Sequence, residues 1–535
     1  MRRVLLTLAL LATATRGLSA QDREEVLVRE WPTPGETQGW FAPTSPSQSG
    51  DYLASLAQAL EAVSVDTLAW IDGGSVQPDS ALPVLLATVS RRDPPEGGRL
   101  RVLILAGERG DALTGTEVAL QLVRELALGE IGSLLESLDV AVVPSVNPWG
   151  LLWWIPEEPS GVDPSRDHAR LGSRATRAVH DLVRRWRPDL VVELAEIGPS
   201  VYRVQAGLPR HPNADPDLAR FGRFYLLPYV ANELSQASST FRELVTVQPE
   251  GDELGAPLLG ADGLPEGASL TPGPRGLDHA TNSFSLGGSL AVSLAVVSPG
   301  GAEGLPDRVQ LLYQSVGYLL EVAAAQAAVL RAHEDAVPAA MSLRHEWVQD
   351  ENHPKLVWLV WNEQGQIVQQ TTDRWRTAVR RQLALPVPAG WLIDPSGREW
   401  VDLLLAHGFT VERLSQTARL DVGSYMIGVT AALPSNLSDT VPLDSAPSGS
   451  ALIVPDERDF PAGAWLVRAD QPRARLLFTI LEPWSQDAPL GREAPGEHDP
   501  DRLETYPVYR VDDEGALDDL RTERVAPPGA PAGRE

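Results

Sequence analysis

From Tyr52 to Val63 the apolar residues Leu53, Leu56, Ala57 and Leu60 recur at helical spacing, which predicts an amphipathic helix. Leu100 to Leu105 is a short β-rich apolar run that stops at Ala106-Gly107 and reads as a buried strand. Helix and strand then alternate. Thr116 to Leu126 and Arg174 to Trp186 read as helices, and Val140 to Val143, Leu190 to Leu194 and Leu290 to Val297 as strands. Buried apolar strands between amphipathic helices predict an α/β fold, a sheet covered by helices on both faces.

A glycine- and proline-rich stretch from Pro249 to Gly276 interrupts the alternation, and an alanine-rich helix from about Asp307 to His333 closes it. The boundary falls near Val337, giving a first domain over residues 21–337. Residues 338–511 then form a smaller α/β or β-rich module, with strands at Leu356 to Trp361 and Ala474 to Leu481 and a helix-like segment at Trp400 to His407. The tail, 512–535, is acidic and then proline-rich, and is expected to be disordered.

At the start of the chain, Arg2 and Arg3 precede an apolar run from Val4 to Leu11, and mostly small residues follow to Ala20. That is the pattern of a secretory signal over residues 1–20. The run is too short to span a bilayer, and no later stretch of about 20 apolar residues follows. The expectation is an exported protein, periplasmic or secreted, with no membrane span. The chain has no cysteine, which excludes disulfides, thiolate metal sites and a lipid-modified cysteine anchor. A length of 535 residues exceeds what one hydrophobic core serves. The net charge of -27 argues against nucleic acid as a partner, since its phosphates need basic patches.

A catalytic zinc needs three protein ligands, commonly His and Glu, and an open position for water. None of the nine histidines has Glu three positions later, and no pair sits at helical ligand spacing. A G-x-S-x-G nucleophile turn and a phosphate-binding glycine loop are also lacking in the sequence. The richest stretch is Gly161 to Pro199. There a polar loop with Asp163, Arg166, Asp167 and His168 leads into a helix, and a buried strand then delivers Glu193 and Glu196 to its C-terminal end. Ligands gather at that edge of an open α/β sheet.

Several strings resemble the zinc carboxypeptidase family, the carboxypeptidase A-like metallopeptidases, over about Phe41 to Asp335. In that family H-x-x-E follows a strand ending in Gly; here the matching string is Gly107 to Gly115, with Arg109 in place of the ligand His and Ala112 in place of the ligand Glu. Val146 to Gly150 resembles the family's N-P-D-G turn, and Gly161 to His168 resembles G-x-D-L-N-R-D, with Ser165 in place of Asn and Arg166 retained. Glu193 to Glu196 resembles D-L-H-E, with Ala195 in place of the last ligand His. The strand carrying the general base resembles Ser293 to Gly300 and puts Val297 at the base position. Pro461 to Gly463, Asp470 to Pro472 and Leu481 to Pro483 resemble a module that follows the peptidase domain in some exported bacterial members.

The resemblance implies a carboxypeptidase-like mixed sheet and a degenerate metal site. With the ligands gone, nothing holds the ion that polarises a scissile carbonyl and activates water. A guanidinium ~4 Å from a dication would cost about 8 kcal/mol at an effective dielectric of about 20. Arg109 is therefore expected either to take the metal's place, paired with Glu193, Glu196 or Asp163, or to be a solvated loop residue. Arg166, with Ser165, Asp163 and His168, is the candidate ligand-binding set, since its fork suits a carboxylate. A structural ion pair of Arg166 with Asp163 or Asp167 is the alternative, and a lone His such as His168 is more often a hydrogen-bonded loop residue than a catalyst. Trp149, Trp153 and Trp154 are candidates to line a peptide or glycan groove, or to fill core.

Two function classes follow. One is an exported carboxypeptidase-like protein, inactive as a zinc peptidase and without cofactor, that binds a peptide or cell-envelope ligand or serves as a scaffold. The other is an enzyme cleaving C-terminal residues from peptides. It would use zinc with ligands elsewhere, a hard cation held by carboxylates alone, or a metal-free site built on Asp111, Asp163, Glu193 and Glu196.

Overall fold

The computed structural model describes residues 31–248, 268–425, 453–489 and 506–525, apart from positions 75, 96, 275, 334–335 and 362–363. The expected signal over 1–20 and most of the stretch from Pro249 to Gly276 lie outside the described residues.

The first sheet has eight strands: β1 (Val63–Gly73), β2 (Gln77–Val89), β3 (Leu100–Ala106), β4 (Leu138–Val143), β5 (Leu190–Ile197), β6 (Val204–Gly207), β7 (Phe241–Glu243) and β10 (Leu290–Val297). Their order is β1-β2-β4-β3-β5-β10-β6-β7. The central run β4-β3-β5-β10 is parallel, whereas β1-β2, β2-β4 and β10-β6 are antiparallel, so the sheet is mixed. The central strands are nearly continuous apolar sequence because both faces are covered. On one face lie the helices Leu113–Leu128 and Leu305–Ala325, packed through Val118, Leu122, Leu312 and Leu319 onto Val102, Ile104, Val192 and Leu294. On the other, the helices Arg174–Trp186 and Ala280–Leu286 pack through Ala175, Val179, Leu182 and Phe284 onto Leu103, Leu105 and Val191. A short antiparallel pair, β8 (Val245–Gln248) and β9 (Ser269–Pro272), stands at the margin.

Beyond this sheet come two antiparallel pairs, β11 (Ala340–Val348) with β14 (Ala378–Pro386) and β12 (Leu356–Trp361) with β13 (Ile367–Thr372). A seven-stranded sheet follows in the order β18-β17-β20-β15-β19-β16-β21, antiparallel at every pairing described. Its strands are β15 (Gly390–Ile393), β16 (Glu412–Leu414), β17 (Ala418–Tyr425), β18 (Ile453–Phe460), β19 (Trp465–Arg468), β20 (Val508–Val511) and β21 (Thr522–Arg524).

Two expectations are corrected here. Ala474–Leu481 is a helix, not a strand. Six of its eight residues are apolar, and only Arg475 and Thr479, one helical turn apart, mark the helical period in a run that otherwise reads as continuous. The tail beyond Asp512 is folded as far as 525: a helix spans Glu514–Asp518, and β21 pairs Glu412 with Arg524 at the sheet edge. Its acidic residues Asp512, Asp513, Glu514, Asp518 and Asp519 are exposed on the loop and short helix that precede this strand.

The second sheet's module closes onto the first through shared core and buried polar pairs. Ala169, Leu277 and Leu286 join the cluster of Met341, Leu343, Leu477 and Phe478. Asn213 exchanges two 2.8 Å hydrogen bonds with the Ser342 backbone, and Arg475 meets Asp215 at 3.2 Å with both side chains buried. Among the described residues, no helix is long and apolar enough to cross a membrane.

Candidate functional site

The parallel strands β3, β5 and β10 end side by side, and a cavity of about 530 Å³ opens at their C-terminal edge. Alternation along β5 turns Val192 and Leu194 into the core beneath the helix Leu113–Leu128 and leaves Glu193 and Ala195 facing the cavity. The parallel register sets Ser293 beside Glu193 and Ala295 beside Ala195, so one face of two strands forms the cavity's base. The loop leaving β3 adds Glu108, Arg109 and Ala112 to its wall. That loop passes close to the turn at Gly150, where a Cβ on Gly110 would run into backbone atoms.

Ala112 occupies the N-cap of the helix Leu113–Leu128 and makes no side-chain cap. Glu196 from β5 substitutes. It accepts a 2.9 Å hydrogen bond from the Thr114 amide and another from the Thr114 hydroxyl, with Arg308 Nε 3.6 Å away. A carboxylate at a helix N-terminus satisfies free amides and complements the helix dipole. Glu196 is thus engaged on the helix side through Oε1.

Arg109 does not pair with Glu193 or Glu196. It grips Asp111 in bidentate fashion at 3.0 and 2.8 Å and lies 3.7 Å from Asp163, with its side chain about half exposed. Hydrogen bonding by Asp111 raises its already high pKa. Arg166 pairs with Asp278 at 3.5 Å, not with Asp163 or Asp167, and stays largely exposed at the cavity wall. Asp163 holds the amide and hydroxyl of Ser165 at 3.0 and 2.8 Å, and Asp167 accepts from the Gly172 and Ser173 amides at 2.8 and 2.7 Å. Both aspartates shape the loop. Trp149 is core; Trp153 and Trp154 are exposed on the surface and do not line the cavity. Val297 ends β10, paired with Ile197; Ser293 and Ala295 line the cavity and Val297 does not. Neither Val297 nor the cavity-lining Ser293 and Ala295 on β10 carries a carboxylate.

His168 is a hydrogen-bonded loop residue, and a buried one. It is fully buried, with Nε2 3.0 Å from Glu108 Oε1 and Nδ1 3.1 Å from His180 Nε2. Burial disfavours charge on this ring, yet the Glu108 carboxylate, with Glu193 and Asp167, holds its pKa above the ordinary range. His180 has no acidic neighbour to offset its burial, and nearby His407, His168 and Arg473 push it further down. The pattern fits a charged His168 that donates from both nitrogens, one to Glu108 and one to a neutral His180. Burial, then repulsion from Glu108, pushes Glu193 up to about 8, against the opposing pull of His168 and of the Ser293 hydroxyl. Burial drives His279, also at the cavity wall, down to about 4.

Glu108, His180, Asp278, His279 and Ser293 were not singled out from sequence. Only Glu108 carried a local signal, a charged residue directly after a strand whose other face is core.

A zinc ion does not fit these residues. Arg109, Ala112 and Ala195, the positions that the sequence resemblance aligns with the family's metal ligands, present one guanidinium and two methyl groups, and the guanidinium is spent on aspartates. Among the described residues, no group of three or more His, Asp or Glu side chains is placed to hold a metal.

No family model matches the sequence. A stretch of 114 residues, 21% of the chain, is 31% identical to carboxypeptidase 2 of Trichophyton tonsurans, and a stretch of the same length is 30% identical to carboxypeptidase 2 of Trichophyton rubrum. The chain spans about a fifth of the length of these curated relatives. Among solved structures, the metallo-carboxypeptidase from Pseudomonas aeruginosa overlaps 54% of this chain and 71% of its own, at 20% identity and a TM-score of 0.39. The metallo-carboxypeptidase from Burkholderia cenocepacia overlaps the same shares at 15% identity and a TM-score of 0.41. Over the 114-residue stretch the chain is similar in sequence to those carboxypeptidases. It is a carboxypeptidase-like protein.

Proposed function

We propose that this protein is an exported, carboxypeptidase-like binding protein that does not hydrolyse peptides with zinc, and that a peptide or cell-envelope ligand sits in the cavity at the ends of β3, β5 and β10. The supporting observation is the trio Arg109, Ala112 and Ala195 lining that cavity. Methyl groups donate no electron pair to a metal, and without the metal no water is activated and no carbonyl polarised. The first domain, 21–337, holds the cavity, and the module over 338–511 braces its loops through Asp487, which accepts from the Leu277 amide at 3.2 Å and meets His211 at 3.1 Å. The test is release of C-terminal residues from a peptide library in the presence of excess zinc. No release is expected; turnover that depends on zinc would overturn the proposal.

A second reading, hydrolysis without a metal, draws on one observation: Glu193 is held protonated near neutral pH beside the carboxylate of Glu108. A proton donor beside a base is the minimum for acid–base catalysis. Of the four carboxylates considered for such a site, Asp111, Asp163 and Glu196 are committed to Arg109, Ser165 and Thr114, which leaves Glu193. Activity that survives chelation and disappears in Glu193→Gln would favour this reading over the first.

A further inference from the structure

We infer that the cavity takes its ligand by a positively charged nitrogen group, a protonated amine or a guanidinium, held at the base of the cavity by Glu108 and Glu193. This rests on the cavity being a binding site, as proposed above. Glu108 is 4% exposed. Its Oε1 is occupied by His168, but its Oε2 is buried in the cavity wall with no hydrogen-bond partner among the described residues. A buried carboxylate oxygen without a donor is costly, and an entering N–H group removes that cost.

Glu193 lines the same cavity and repels Glu108 electrostatically. A cation placed between these two groups in one desolvated space displaces the proton that Glu193 otherwise keeps near neutral pH, and both carboxylates then attract it far more strongly than either would in water. The described cations of the cavity do not supply it. Arg109 is spent on Asp111 and Asp163, Arg166 on Asp278, and Arg308 on Glu196 and Thr114. His168 reaches only the far oxygen of Glu108. An ammonium brings three donors and a guanidinium five, enough to serve Glu108 Oε2 and Glu193 together. The methyl groups of Ala195 and Ala295 between them leave room for the ligand's stem.

Isothermal titration calorimetry on the purified protein tests this with n-butylguanidine and n-butylammonium, against n-butylurea, which matches the guanidine in shape without its charge. Both cations are expected to bind, the urea at least tenfold more weakly, and Glu193→Gln is expected to weaken cation binding at least tenfold. Equal affinity for the urea and the guanidine overturns the inference, as does a folded Glu193→Gln protein that binds the cation like the parent. If that variant does not fold, the urea comparison on the parent decides alone. Peptide hydrolysis is read separately. Cation selectivity together with zinc-dependent turnover overturns the proposed function and leaves the selectivity standing, whereas absence of both overturns only this inference.

Discussion

His168 Nδ1 lies 3.1 Å from His180 Nε2 inside the protein, and the two rings behave oppositely: the first is held toward its charged form, the second toward neutrality. The difference comes from Glu108, 3.0 Å from the other nitrogen of His168. Next in line, His407 stacks edge-on to His180 with ring centres 5.2 Å apart and donates from Nε2 to the Ala169 carbonyl at 3.1 Å. A file of three buried histidines therefore runs from the cavity wall into the C-terminal module.

This file makes stability depend on pH with a definite sign. Burial pushes His407 down to about 3 and pushes His180 well below its usual value. The unfolded chain binds protons on both rings that the folded chain refuses. Their contribution is therefore intact above the ordinary histidine value of about 6.5 and is lost as pH falls below it, for His407 down to about 3. His168 has the reverse sign: its stabilisation is present below its unfolded pKa and is lost as pH rises through its raised folded value. His407→Gln keeps a donor for Ala169 and removes one titration, so its urea midpoint should fall less steeply than the parent's between pH 6.5 and 4. Parallel pH profiles would contradict this.

Arg109→Ala should barely change the melting temperature. The side chain is about half exposed, and its partners Asp111 and Asp163 are themselves partly solvated. Pairs of that kind contribute about 0–1 kcal/mol. A loss of several kcal/mol by chemical denaturation would mean that the arginine neutralises buried carboxylates after all.

Glu196→Ala should cost about 1–2 kcal/mol, the usual effect of removing a helix N-terminal cap. The helix Leu113–Leu128 has no other side-chain cap, since Ala112 supplies none. Arg308 keeps the Gly301 and Glu303 carbonyls, which limits the loss. Hydrogen exchange at the Thr114 amide should accelerate in the variant; unchanged protection would contradict the capping role.

Arg510→Met should destabilise by about 3–5 kcal/mol, because it strands a buried carboxylate. Arg510 and Glu482 meet at 2.8 Å with side chains 2% and 0% exposed, and Glu482 also accepts from Trp391 and Tyr425. Adding Glu482→Gln should recover part of the loss. A double variant no more stable than the single one would show that packing, not charge, dominates there.

Legibility from sequence followed the physics of each segment. Leu290–Val297 and Arg174–Trp186 have the bounds read from the chain, because a buried parallel strand is continuously apolar and a covering helix is amphipathic. Ala474–Leu481 misled because its apolar residues form a nearly continuous run, in which only Arg475 and Thr479, one turn apart, carry the helical period. The hairpin β1–β2 was missed because its edge strand mixes buried and exposed positions irregularly and slips register between Thr67 and Ala69. In the site, Arg109, Ala112 and Ala195, singled out from three separate strings of the chain, line one cavity. Their partners could not be located. Glu108 and His168 are 60 residues apart, and Arg166 pairs with Asp278 more than a hundred residues away; no local pattern encodes either contact.

The central claim is that the cavity has lost its metal chemistry. Elemental analysis of the purified protein, offered excess zinc and then freed of the weakly bound fraction, tests it most directly. Zinc far below one per chain is predicted, with the same melting temperature before and after chelation. About one zinc per chain would contradict the account and would require metal ligands other than Arg109, Ala112 and Ala195.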